Sequence, residues 1–592
     1  MSTPAYLNPA LSADERVDDL LPRMTIEEKA GLLFHPATSL AEPGYSADQA
    51  LADAQRDISD KLISHFNVFN GADAAEIADW TNQLQQLAAE TRLGIPVTIS
   101  SDPRNGFRST PFTGHTLDSL SRWPEHTGLA AIGDVDLVRE YGDTIRREFL
   151  AMGIRVYLGP MADLYTEPRW SRGFGTFGED VDLVSSLTAA FIEGLRSTAD
   201  LGSESVAAVV KHFPGGGPQL DGFDAHDKRH REQVYPGGQQ KLHLRPFEAA
   251  FAAGVSQVMP YYGMPVGTEW EERGFAFNAP VIRDLLRGHY AFNGIVVSDW
   301  NLLESADVAG IVFGPNGYGL EDLSPTERLE VGLTVGVDQF GGDNCPERVV
   351  ELVRSGRVSE ERIDQSVRRI LREKFVLGLF EDRYADIEAA RAVGADASLR
   401  ALGTEAQAKS LTLLADADVL PVRPGARVFA EGIDWATVEH ELTVVTTPEE
   451  ADLNIVRLDA PWQPDPESAL GDWFHGGRID FSEDIVAHLG ELAKHAPTIG
   501  VIYLERPAVL TELLPSLSAL VVEFGASDQV VIDALQGATP FTGRLPFDLP
   551  SSMAAIEQSR EDVPFDTAAP AFTHGAGIQR AALVANPIAH RR

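Results

Sequence analysis

Two stretches of the chain gather residue types that can do chemistry. In GIVVSDWNLLE, Gly294 to Glu304, four apolar or small residues lead into Ser298-Asp299-Trp300, so a buried strand would end by presenting a carboxylate beside an aromatic ring. Catalytic groups of an α/β barrel stand where strands end and loops begin, although Asp in such a turn also serves as a plain helix N-cap. The second stretch, VVKHFPGGGPQLDGFDAHDKRHREQ, points Lys211 and His212 from a strand end toward the same mouth and follows them with Gly215-Gly216-Gly217, which permits close backbone approach. It is not a phosphate loop, because the lysine precedes the glycines and no Gly-Lys-Ser/Thr follows. His226 and His230 stand four apart, yet the Glu of a zinc hydrolase helix is missing and the string is mostly charged, which suits a solvated loop better than a metal site.

The elements that must position these groups read as alternating strands and helices from about Ala13 to Gly378. LISHFNVF, IPVTISSD, IRVYLGPMAD, SVAAVVKHF, VSQVMPYY, GIVVSDW and LTVGVDQF each read as a buried strand. Most are followed by a charged amphipathic segment such as GDVDLVREYGDTIRREFLAMG. This alternation predicts a (β/α)8-type barrel over 1–380, with an irregular strand count allowed. Asp102, Asp163, Lys211, His212, Tyr262 and Asp299 all fall just after its strands. A polar, alanine-rich stretch at 381–400 reads as a linker. Five further apolar runs, ARVFAEG, LTVVTT, LNIVRL, TIGVIYL and ALVVEFG, predict a smaller α/β sandwich with a mainly parallel sheet over 401–550, and 551–592 reads as a tail rich in Ala and Pro.

Composition narrows the partners. Over 592 residues, 49 Lys+Arg stand against 88 Asp+Glu, a formal net charge of -39. Such a charge repels phosphate backbones and anionic membrane surfaces, so neither nucleic acid nor membrane is an expected partner. The single cysteine, Cys345, excludes a disulfide framework within the chain and any cysteine-based metal cluster. MSTPAYLNPALSADERVDDLL lacks a basic region followed by an apolar core, and no run reaches the ~18 apolar residues of a membrane span; the expected compartment is the cytoplasm.

RVDDLLPRMTIEEKAGLL, RGFGTFGED, KHFPGGG, GIVVSDW, GVDQF and GRLPFDLP occur in an order and at a spacing that resemble glycoside hydrolase family 3, the β-glucosidase family, over residues 13 to about 576. The resemblance implies a barrel followed by an α/β sandwich, with the active site between them, no fibronectin-like third domain and no cofactor. It implies that Asp299 is the nucleophile of a retaining β-glycosidase and Trp300 the platform beside the sugar ring. Such chemistry needs an ionised carboxylate about 5 Å from a second acid group, one attacking C1 while the other protonates the departing oxygen. A neighbouring cation such as Lys211 would keep Asp299 ionised. Asp102, Arg169, Lys211 and His212 match the positions that clamp the terminal sugar's hydroxyls, and Tyr262 the tyrosine near the nucleophile, while Arg169 could instead pair with Asp163 or Glu179. The acid/base has three candidates. Asp459, in DAPW after the strand LNIVRL, stands where the β-glucosidase branch has a Glu; Asp224 and His226 form the Asp-x-His dyad of the N-acetylhexosaminidase branch; Asp472 and Glu467 are other acids of the second domain. The implied activity is exo-hydrolysis of terminal β-D-glucosyl residues of a small oligosaccharide or glycoside. A β-N-acetylhexosaminidase, a β-xylosidase and a silent carbohydrate-binding homologue are the alternatives. The oligomeric state is left open, a homodimer included.

Overall fold

The computed structural model describes residues 4–583 apart from 41–44, 72, 110–115, 309–310, 469 and 472. The first domain is built around a ring of parallel strands. β1 comes in two pieces, Phe34–His35 and Ala37–Thr38, on either side of Pro36. It is followed by β2 (His65–Val68), β3 (Thr98–Ser101), β4 (Ile154–Tyr157), β5 (Ala207–Phe213), β6 (Gln257–Pro260), β7 (Ile295–Trp300) and β8 (Gln339–Gly341). Each strand pairs in parallel with the next. The first piece of β1 pairs with β8 and its second with β2, so the sheet returns on itself as a barrel of eight staves. Pro36 has no N–H to give the ladder, but its carbonyl accepts from the Asn67 amide at 2.9 Å and keeps the ring joined. Residues of β2 to β6 are all buried, facing the barrel interior or the surrounding helices, which is why these strands read as unbroken apolar runs.

The helices between them begin where their sequences carry caps. Asp134 accepts from the amides of Asp136 and Leu137 to start Val135–Ala151, and Asp180 accepts from those of Asp182 and Leu183 to start Val181–Arg196. Among the described residues no helix is long and apolar enough to cross a membrane.

The second domain is a sheet of β9 (Thr412–Asp416), β10 (Arg427–Glu431), β11 (Thr443–Val444), β12 (Leu453–Asp459), β13 (Thr498–Tyr503) and β14 (Ala519–Glu523), in the order β9-β14-β13-β12-β10-β11. Only β9 runs antiparallel, against β14. Register aligns Asp459 with Tyr503 and Tyr503 with Glu523, so three C-terminal strand ends form one edge. That edge meets the barrel: the Glu125 amide donates to the Phe524 carbonyl at 2.8 Å. The apolar core is continuous from the barrel strands to Ile502, Val522, Phe524 and Phe547, so the two domains share a buried seam.

Two segments differ from the reading above. The stretch expected as a linker holds the helix Ile387–Gly394, whose buried Ala390 faces the packing against Ala74–Ala89 and Val135–Ala151. The expected tail folds back as far as it is described. Leu549 bridges to Phe572, and the Asp562 carboxylate accepts from the amides of Gly237 and Gln239 at 2.7 Å each on the barrel.

Candidate active site

Near its end β5 carries Lys211 and His212, joined by a cis peptide bond. Lys211 Nζ lies 3.4 Å from Asp102 Oδ1 at the end of β3, and Asn67 on β2 donates to Asp102 Oδ2 at 3.0 Å. His212 Nδ1 meets Asp163 Oδ2 at 2.9 Å, and Asp163 Oδ1 also accepts from the Gly216 amide. Burial holds the His212 imidazolium far below its usual range, so the ring is neutral; with Nδ1 donating to Asp163, Nε2 is left as an acceptor. The glycines serve packing here: a Cβ on Gly217 would stand 1.8 Å from the Leu164 carbonyl oxygen.

Asp299, near the end of β7, is buried and caps no helix, for the next helix, Pro325–Val335, is capped by Ser324. Its Oδ1 accepts from the Trp300 amide at 2.9 Å, while Oδ2 is buried with no hydrogen-bond partner among the described residues. Burial pushes its pKa up, and the charges of His226, Arg172 and Lys211, in that order, pull it back.

The Asp224 and His226 pair lies in the same place. His226 Nδ1 is 2.5 Å from Asp224 Oδ1, and Asp224 Oδ2 accepts from Trp170 Nε1 and the Tyr261 hydroxyl at 2.8 Å each. Burial alone would raise the Asp224 pKa, but the charge and hydrogen bonds of His226 and the charge of Arg172 hold it well below the usual carboxylate range. His230 is stacked on Phe223 at 4.1 Å and lines the same cavity as Asp224 and His226.

The arginine among these groups is Arg172. It is buried, its charge faces Tyr261, Asp224 and Asp299, and its Nε and Nη1 have no hydrogen-bond partner among the described residues. Arg169 is held by Glu167, with Nε at 2.9 Å from Oε1 and Nη2 at 2.9 Å from Oε2, and not by Asp163 or Glu179. The motif RGFGTFGED begins with Arg172, so the signal for it was present in the sequence.

Of the second-domain acids, Asp459 ends β12 exposed to solvent, Glu467 is exposed beside Arg229 at 3.4 Å, and Asp472 lies outside the described residues. A buried one went unread. Glu505, in LERPA after β13, forms an ion pair with Arg108 of the barrel and meets His475 Nδ1 at 2.9 Å, and Trp462 stacks on His475 at 4.2 Å.

Two cavities open among these groups. One is lined by Lys211, Arg172, Met161, Glu125 and Arg108. The other is lined by Asp224, His226 and Phe223 from the barrel and by Phe474 from the sandwich. Half-buried Trp300 adds an aromatic face close to His35, at 5.7 Å between centroids. Fixed donors and acceptors for hydroxyls, a buried carboxylate and a buried carboxylate-imidazole pair can hold a sugar ring, attack its anomeric carbon and move a proton to or from its substituent.

An eight-stranded barrel with such groups at its mouth, covered in part by a second α/β domain, defines an enzyme of sugar chemistry. A family model, the glycosyl hydrolase family 3 N terminal domain, matches residues 25–373, and the chain belongs to that family of glycoside hydrolases. It is 43% identical over 598 residues to the probable beta-glucosidase C of Aspergillus flavus, covering 99% of this chain and 93% of the relative. A periplasmic beta-glucosidase/beta-xylosidase of Dickeya chrysanthemi is 38% identical over 590 residues, covering 96% and 90%. The fold is also that of a solved beta-glucosidase from Listeria innocua in complex with glucose, with a TM-score of 0.77 at 22% identity over 96% of this chain and 83% of that one.

Proposed function

We propose that the protein is an exo-acting, retaining β-glucosidase with Asp299 as nucleophile and the Asp224–His226 dyad as acid and base. The observation that carries this reading is a buried carboxylate with one oxygen unbonded among the described residues, whose charge is opposed first by His226 and then by Arg172 and Lys211. Asp299 Oδ2 forms a bond to C1 as the C1–oxygen bond to the leaving group breaks, and His226 gives that oxygen its proton. Water then adds to C1 and passes a proton to His226, the ester bond to Asp299 breaks, and glucose leaves with its β configuration. Asp224, anchored by Trp170 and Tyr261, fixes the imidazole through Nδ1 and stabilises its charged form, so Nε2 is the nitrogen that exchanges the proton. Asp102, Lys211, His212 and Arg172 hold the ring hydroxyls, and Trp300 flanks the ring.

The dyad is preferred to Asp459 because its imidazole acts on Asp299 from within the barrel mouth, whereas Asp459 is exposed on the sandwich edge. Glucose is preferred because beta-glucosidase names the relatives at 43% identity; the Dickeya relative's double name favours β-xylosidase as the second reading. Nitrophenyl β-glucoside, β-xyloside and N-acetyl-β-glucosaminide, compared by kcat/KM, test the choice of sugar. A preference for the N-acetyl sugar would overturn it.

A further inference from the structure

We propose that the sandwich domain acts on catalysis through Phe474, a positioning residue that holds the His226 imidazole in place. The inference rests on the assignment of Asp224 and His226 as the acid/base pair. The His226 ring lies between two close aromatic walls, with Phe474 at 4.6 Å and tilted by 30°, and Tyr262 at 4.7 Å and edge-on at 71°, while Phe313 of the barrel stands further off at 5.9 Å. Its bond to Asp224 fixes one nitrogen but leaves rotation about that direction free; the two walls remove this freedom. Tyr262 belongs to the barrel, whereas Phe474 comes from a loop of the second domain.

That loop is fastened to the barrel where the dyad is held. Arg506, buried after β13, donates through Nη2 to the Pro461 carbonyl at 2.8 Å and through Nη1 to the Gly477 carbonyl at 3.2 Å, at the two ends of the loop. The same Nη1 donates to the Arg169 carbonyl at 2.8 Å, one residue before the Trp170 that bonds to Asp224. Arg229, three residues beyond His226, pairs with Asp465 of the loop at 2.7 Å. His475, next to Phe474, lies 3.1 Å from Arg108 of the barrel. The ring that covers His226 is thus set relative to Asp224 by short polar contacts on both sides, so the second domain contributes position to the proton transfer.

Proton transfer from a misplaced acid slows steeply, and a displacement of about 1 Å costs roughly 100-fold. The acid matters for poor leaving groups and hardly for dinitrophenolate. In the full-length protein, Phe474→Ala should lower kcat/KM for methyl β-glucoside by roughly 10- to 100-fold and that for dinitrophenyl β-glucoside by less than about 3-fold. Competitive inhibition by glucose should be unchanged, and Phe474→Tyr should restore the methyl glucoside rate. Asp465→Asn, which loosens the loop without touching the ring, should show the same selectivity to a smaller extent. If Phe474→Ala and Asp465→Asn slow both substrates equally while His226→Ala remains selective for the methyl glucoside, Phe474 has no part in proton transfer and the proposal falls. If His226→Ala also slows both substrates equally, the dyad assignment falls and the proposal with it.

Discussion

The Tyr262 hydroxyl and the Asp299 carboxylate meet at one backbone amide, that of Trp300, each at 2.9 Å from its nitrogen. Sharing a single N–H fixes Oδ1 and places the phenol beside the carboxylate, which leaves Oδ2 as the oxygen available for attack. The strand end does this work: β7 carries Ser298 inward to donate to the Asp299 carbonyl at 2.8 Å, so the backbone that presents the carboxylate is itself tied.

On the proposed mechanism, replacement of Asp299 Oδ2 should therefore be the most damaging single change. Asp299→Asn should lower turnover of nitrophenyl β-glucoside by roughly 10^4-fold or more with the thermal transition unchanged within a few degrees. A 2-deoxy-2-fluoro-β-glucoside should label Asp299, found by peptide mass analysis, and proton NMR of the first product should show the β anomer. An initial α anomer would mean direct attack by water.

Arg172 and Arg169 should separate cleanly. Arg172 faces Asp299 and Asp224 with two nitrogens unbonded among the described residues, so Arg172→Met should cost roughly 10- to 100-fold in kcat/KM, the equivalent of one or two charge-assisted hydrogen bonds. Arg169 is engaged by Glu167, so Arg169→Met should leave kcat/KM within about 3-fold and act through stability. Steady-state kinetics and thermal melts of the two variants decide it, and the reverse ranking would return Arg169 to the sugar.

What was legible in the sequence follows from what each element is made of. Six barrel strands stood out because each lies in a continuous apolar run; the seventh run, LTVGVDQF, begins in the end of the helix Pro325–Val335 and becomes strand only at Gln339, and β1 is two pairs of residues around Pro36 with no run to read. β9 escaped notice for a related reason: it is an edge strand whose last two residues are half-buried. Asp299, Lys211, His212 and Asp102 could be found because strand ends point them one way. Arg169 and Arg172 share a loop, and only the fold shows which one turns inward. Glu505, Phe474 and Arg506 matter through contacts across the seam, at sequence separations of hundreds of residues that no local pattern records.

Glu125 sits on that seam and should make stability depend on pH. Its Oε1 accepts from the Arg108 amide at 2.8 Å and lies 3.4 Å from the Tyr503 hydroxyl, and burial pushes its pKa up to about 7. A carboxyl whose folded pKa is raised binds its proton more tightly in the native state. Its contribution to stability is full below the unfolded value near 4.5 and is lost as pH rises through about 7. The thermal transition should accordingly fall between about pH 4.5 and 7, and Glu125→Gln, neutral throughout, should flatten part of that fall. Equal slopes for both proteins would show that Glu125 is already ionised in the native state.

Asp459 and His226 make opposite predictions for one experiment. A general acid is needed to expel an alkoxide, whereas dinitrophenolate leaves unaided, so removing the acid should cost roughly 10^2- to 10^4-fold on methyl β-glucoside and little in the first step on dinitrophenyl β-glucoside. In the second step the same residue must take a proton from water; azide needs no base, so added azide should restore turnover in that variant and yield β-glucosyl azide. His226 is buried against Asp224 and acts on Asp299, whereas Asp459 is exposed at the end of β12. His226→Ala should therefore show the selective loss and the azide rescue, and Asp459→Ala should keep its rates within about 3-fold on both substrates. The converse result, with rescue of Asp459→Ala alone, would mean that the second domain closes further over the barrel during the reaction and brings its own acid to the leaving group.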